Sequence, residues 1–311
     1  MKNKTKNQHF ISKSEQKLNA LDTDKNKIYR FEKLNERSIK GFKCVSIKNN
    51  LSKDDLFTFK FENDKYRFNF EFFYVQYEQD IHKWTMQLLN KINQKQEDIT
   101  DEIYQIFISK LMNFIRNPYN IKKVINTFNV TLNYIPTSEK YKEINEELKK
   151  MNEDDQQKIC REFDVSLEEY RNWLLIILLT IGAKSEDGEN LIYLLANRLF
   201  DPINMTIDIK IFKYSQKSVL LADRGFIELC RDTDLFNFSI NLTKRVFISY
   251  TFLAKNHNKD LENNLSFQPI DVDIIKDDFE MLNKYNSLVV NQSCRFFYCS
   301  DNNFNSNYKI E

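Results

Sequence analysis

Apolar residues recur at helical spacing through the first two thirds of the chain and at strand spacing beyond residue 203. In residues 101–117, Ile103, Ile106, Phe107, Leu111, Phe114 and Ile115 return at three- and four-residue steps, the mark of one buried helical face. Asp98 or Thr100 can cap its start. Asn117-Pro118 stops it, because the residue before a proline is pushed away from helical dihedrals. Residues 69–92 predict a longer helix, with an apolar stripe of Phe70, Phe73, Tyr74, Tyr77, Ile81, Trp84, Leu88 and Ile92. Residues 121–128, 154–162 and 189–200 predict shorter ones. Ser12 with Glu15 and Ser166 with Glu169 fit the capping box, opening helices near Lys13 and Leu167. The second of these becomes apolar on all sides, so it should be the most buried, with Gly182 as its end.

Period two takes over in residues 203–212, where Ile203, Met205, Ile207, Ile209 and Ile211 alternate with polar neighbours; this is the clearest strand. Residues 27–32, 38–47, 218–223, 236–240 and 294–299 read as further strands. Residues 245–252 fit a strand or a helix. Residues 271–292 read as a final helix carrying Ile274, Ile275, Phe279, Leu282 and Leu288.

The pattern predicts an α+β fold, a mainly helical middle packed on a small antiparallel sheet. Residues 1–8 are expected as a disordered tail. Residues 9–138 should carry strands and the long helices, and 139–311 helices followed by strands and a last helix, the two parts sharing one core. The charged stretch from Glu139 is the expected boundary.

Composition narrows the classes. Forty-six basic residues nearly cancel 45 acidic ones, so nucleic acid or an anionic membrane would have to be met by a local patch. Four glycines and four prolines argue against Gly-rich phosphate loops. The cysteines Cys44, Cys160, Cys230, Cys294 and Cys299 are odd in number, with no CxxC, as expected of reduced core thiols in a cytoplasmic protein. No secretory leader is expected from the polar, basic start. The longest apolar run, 174–181, is far short of the roughly 20 residues of a membrane span.

Chemistry has few carriers. His9 could serve as a general base or a ligand, or merely cap the first helix. Glu71, Glu78 and His82 stack on one helix face at offsets of seven and four. They form an acid/base or divalent-metal set, or a solvated face. Asn113, Arg116 and Asn117 share a last helical turn, where Arg116 could clamp an anion or complement the helix dipole. Asp223, before Arg224-Gly225 at the end of a strand, is a candidate carboxylate or an ordinary turn residue. Asp208 and Lys210 form the D-x-K pair used by restriction-type nucleases, and also suit a solvated strand face. Walker loops, GxGxxG, HExxH and GxSxG are absent.

Three stretches resemble a bacterial protein family. The opening NQHFISKSEQKLNALDTDKNKIYRFE resembles that family's His-rich H-x-x-P-x-x-x-L segment and its Ile-Tyr strand. NFIRNPY resembles its Arg-x-Pro helix end, and LLADRGF its strand ending Ser/Thr-Asp-x-Pro. This chain has one histidine where the family often has two, Ser12 or Lys13 where it has proline, and Gly225 near another proline. Such genes occur among mobile and anti-phage defence loci, with no established activity. The resemblance implies that His9, Arg116 and Asp223 gather in one place. Two functional readings follow. One is a defence or stress effector that cleaves nucleic acid, with His9 as acid/base, Glu71, Glu78 and Asp223 as acid or metal groups and Arg116 as clamp. The other is a non-catalytic interaction or sensing module whose partner is nucleic acid or another defence protein.

Overall fold

The structure, a computed structural model, describes residues 6–35, 38–61, 66–133, 139–149, 153–182, 184, 188–229, 235–255 and 270–302. The fold is α+β, and the chain forms two compact units that interleave in sequence. The first unit joins Met1–Ser12 to Leu51–Leu195, and the second joins Lys13–Asn50 to Ala196–Glu311. Glu139, expected to open a second half, therefore lies inside the first unit.

The first unit opens with β1 (Asn7–His9), paired antiparallel with β4 (Ser52–Asp54). Asn7 and Gln8 were expected in a loose tail. They are held because the buried Gln8 amide donates to Thr58 Oγ1 at 2.7 Å and accepts from the Phe57 N–H at 2.5 Å. Residues 1–5 of that expected tail lie outside the described residues. A hairpin of β5 (Thr58–Phe61) and β6 (Tyr66–Asn69) leads into α2 (Glu71–Asn93), where the Asn69 side chain accepts from the Glu71 N–H at the first turn. α3 (Thr100–Arg116) ends where Asn117-Pro118 was expected to end it. A 3₁₀ turn, Pro118–Asn120, then leads to α4 (Ile121–Phe128).

α5 (Glu139–Lys149) and α6 (Glu153–Phe163) precede α7 (Leu167–Ile177). Both halves of the Ser166/Glu169 capping box are formed. As expected, α7 is central: Tyr170, Trp173, Leu174, Ile176 and Ile177 are fully buried. Trp173 Nε1 donates to the Ile115 carbonyl at 2.6 Å, and Tyr170 Oη donates to that of Leu56 at 2.8 Å. The α-helical turn widens into a π turn over Leu178–Gly182, where Thr180 Oγ1 donates to Ile176 O.

α8 (Leu191–Leu199) carries the chain into the second unit. That unit begins earlier in sequence with α1 (Lys13–Leu18), starting where its capping residues predict. Among the described residues its strands form two sheets rather than one small antiparallel sheet. One is antiparallel, ordered β3 (Ser38–Ser46), β2 (Lys27–Asn35), β13 (Phe296–Cys299), β8 (Leu221–Ala222). The other is ordered β12 (Ile270–Lys276), β7 (Met205–Lys213), β11 (Val246–Ala254), β10 (Leu235–Thr243), β9 (Ile227–Glu228). It is mixed, because β12 runs parallel to β7.

Two expectations change here. The ambiguous 245–252 is a strand. The expected helix over 271–292 is strand and helix in turn: β12, then α9 (Phe279–Gln292). Ile270, Val272 and Ile274 alternate with Asp271 and Asp273, so period two wins over that stretch. Asp277 then takes a left-handed φ of 53°, and the Asp278 side chain caps α9 by accepting from the Met281 N–H.

The second unit's core draws on both sheets and α9. Phe247 stacks on Tyr285 at 4.1 Å and on Phe212 at 4.6 Å, and Phe31 stacks on Phe297 at 5.1 Å. Asn286 of α9 holds the approach to β8, accepting from the Leu220 N–H and donating to Ser218 O.

Candidate functional site

Within the first unit, Arg116 is the polar centre. It sits in the last turn of α3, and that turn is fixed from several sides. Trp173 holds the Ile115 carbonyl, while Asn117 Oδ1 accepts from the Tyr119 N–H at 3.0 Å and Asn120 Nδ2 donates to Phe114 O at 3.2 Å. The Arg116 side chain is 1% exposed. A buried guanidinium needs a counter-charge, and α2 supplies one: Nη1 lies 2.7 Å from Glu78 Oε1. The guanidinium also lies 4.8 Å from the Tyr74 ring centroid, and Tyr74 in turn packs edge-on against Phe57. Tyr74 and Glu78 are four residues apart on α2, so one helical face presents both ring and carboxylate.

The electrostatics follow from that packing. Burial pulls the Arg116 pKa down, but Glu78 and then Glu71 more than offset it, holding it above its ordinary value. Burial pushes the Tyr74 phenol well up, opposed by Arg116. Among the described residues, Arg116 Nε and Nη2 and the Tyr74 hydroxyl have no hydrogen-bond partner. Arg116 is therefore not simply complementing the α3 dipole; its main contact is a tie to α2.

Other predicted residues of the first unit behave differently. Glu78 is 27% exposed, Glu71 is half-buried, and His82, four residues past Glu78, points to solvent. The expected Glu71–Glu78–His82 face is thus split between a core contact and bulk water. Among the described residues, no three His, Cys, Asp or Glu side chains come together as a metal-binding set. His9 is 4% exposed and belongs to β1, opposite Ser52. A pocket of ≈ 490 Å³ in this unit is lined by Lys122, Cys160, Asp164 and Ser166 among others, and by none of the predicted site residues.

Asp223 belongs to the second unit. It follows β8 and precedes the turn at Gly225, whose φ is 78° and whose N–H donates to Ala222 O. Its side chain is 0% exposed. Oδ1 accepts from the Cys294 N–H at 2.9 Å, and Oδ2 accepts from the Arg295 and Phe296 N–H groups at 2.7 and 2.8 Å. Burial pushes this carboxyl up, and the three amides pull it only partly back. Asp223 thus ties the end of β8 to the start of β13. On β7, Asp208 lies 3.4 Å from Lys210. In register beside them on β12 are Asp271 and Asp273. Burial pushes the Asp208 carboxyl up, Lys210 opposes, and the two β12 aspartates reinforce.

The sequence did not reveal Tyr74 as Arg116's platform, Gln8 as the clamp on β1, or the three amides around Asp223. Tyr74 could have been found by noting that it lies one turn from Glu78. The amides leave no mark on residue type.

No protein-family profile, curated protein or solved structure matches the chain.

Proposed function

We propose that the chain is a non-catalytic recognition module of a bacterial defence or stress system, acting in the cytoplasm. The observation that carries this reading is how the candidate groups are engaged. Asp223 is wrapped by backbone amides, and Arg116 is buried against Glu78 and Tyr74. Groups held this way stabilise their own units, whereas an acid or a clamp must reach its substrate. The defence setting comes from the resemblance of the His9, Arg116 and Asp223 segments to a family found in such loci.

A nucleic-acid-cleaving hydrolase is the second reading. It is favoured by the partly open Glu78 beside two nitrogens of Arg116 and the Tyr74 hydroxyl that have no hydrogen-bond partner among the described residues, which are donors an incoming acceptor could use. The test incubates purified protein with single- and double-stranded DNA and RNA, with Mg²⁺ or Mn²⁺, beside Glu78→Gln and His9→Asn. The same three proteins are expressed in a bacterial host, scoring growth and nucleic-acid integrity. The module reading expects no cleavage by any of them. Metal-dependent cleavage that disappears in Glu78→Gln would overturn it.

A further inference from the structure

The antiparallel sheet of the second unit has two unlike faces. Phe31 and Phe297, paired in register, point into the core. The opposite face carries Arg30 and Glu32 from β2, Phe296 and Tyr298 from β13, and Lys43 and Lys40 of β3 in register with Arg30 and Glu32. Along β13 this face opens: Tyr298 is buried, but Phe296, two residues earlier, is partly exposed.

At the open end two guanidinium groups flank one ring. Arg30 Cζ lies 4.5 Å and Arg295 Cζ 5.2 Å from the Phe296 centroid. Arg295 and Lys43 are exposed and Arg30 is half-buried. Lys40 faces Glu32 at 3.5 Å, but Arg30, Lys43 and Arg295 meet no carboxylate among the described residues. A nearly neutral chain has thus gathered uncompensated cations around an aromatic ring at the open end of one sheet.

We infer that this face binds single-stranded nucleic acid. Charge complementarity selects a polyanion. The geometry selects one with free bases: an arginine already laid against a ring presents its flat side for stacking, while its N–H fork reaches phosphate. Lys43 and Arg30 would follow the phosphate backbone as neighbouring point charges across β3 and β2. The inference deepens the recognition reading by naming the partner. It rests on that reading only for the claim that retention, not cleavage, is the output.

The test is fluorescence anisotropy with labelled oligothymidylate and oligouridylate of about 15 nucleotides, a length suited to one small binding surface. A duplex of equal length, polyglutamate and phosphatidylserine vesicles serve as competitors. Arg295→Glu and Lys43→Glu, both at exposed positions, are compared with Lys142→Glu, a charge control in the first unit, and thermal melting confirms that each is folded. The expected result is salt-sensitive binding of the single strands, weakened about tenfold or more by either sheet variant and unchanged in the control. Absence of binding, or equal binding by Arg295→Glu and Lys43→Glu, overturns the inference. Equal competition by duplex, polyglutamate or vesicles overturns the single-strand assignment. An oligonucleotide that is bound by this face but cut would sink the non-catalytic reading and leave the surface standing.

Discussion

Arg116 and Asp223 are both charged groups sealed inside their units, yet they are held in opposite ways. Arg116 relies on one carboxylate from a neighbouring helix, itself partly wet, and leaves two nitrogens without partners among the described residues. Asp223 is held by the main chain. Three consecutive backbone amides, those of Cys294, Arg295 and Phe296 at the entry to β13, converge on it. A side-chain partner can be lost by one substitution. A backbone partner is lost only to proline, so the same degree of burial gives a readily replaceable contact in one unit and a main-chain one in the other.

The sharpest way to break that contrast is at Asp223. Asp223→Ala strands three amides at once and should cost about 3 kcal/mol or more, at the level of the second unit's survival. Asp223→Asn keeps one acceptor oxygen and should cost roughly half as much. Chemical denaturation, with amide exchange followed at Cys294, Arg295 and Phe296, reads both. Unchanged protection there would mean the carboxylate is not what holds β13 to β8.

Glu78 comes next. Glu78→Ala leaves a buried guanidinium with Glu71 as the remaining carboxylate acting on it among the described residues, at a cost of about 2 kcal/mol, less than for a fully sealed pair because Glu78 is partly solvated. Adding Arg116→Met removes the stranded charge, so the double variant should be more stable than Glu78→Ala alone. A double variant that is less stable would show Arg116 to be held by something other than this pair.

The smallest effect belongs to a surface contact, the ion pair of Asp22 with Lys244. The hydrogen bond and charge of Lys244 hold the Asp22 carboxyl below its ordinary 3.8. A folded pKa lower than the unfolded one means the contribution is present above pH 3.8 and is lost as pH falls through the lower, folded value. Because Asp22 is exposed, Asp22→Asn should cost about 0.5 kcal/mol or less, shrinking with salt. Melting curves at several salt concentrations above and below that pH check it.

What was readable in advance was what is local. The helices α2, α3 and α7 follow from apolar spacing within each segment, and Ser166 and Glu169 are close enough in sequence for their reciprocal cap to be foreseen. β7 follows from its alternating isoleucines. β12 was misread because Ile274, Ile275, Phe279 and Leu282 also satisfy helical spacing; the left-handed Asp277 between them decides the matter and has no apolar signature. β1 was missed because three polar residues become a strand only through their distant partners at Ser52–Asp54. The same limit applies to the site. Periodicity tells which face of α2 or α3 is buried, but not how two helices slide against each other, so the meeting of Glu78 and Arg116 could not be read. Nor could the surroundings of Asp223, since amides belong to every residue.

The pairing of β2 with β13 has a consequence for biosynthesis. β2 (Lys27–Asn35) is made well before its neighbour β13 (Phe296–Cys299), with the whole first unit from Leu51 onwards between them. At ordinary elongation rates the interval is on the order of tens of seconds. During that time Phe31 lacks the ring of Phe297 and one edge of β2 lacks β13, so the nascent chain carries an adhesive border that must be shielded until β13 arrives.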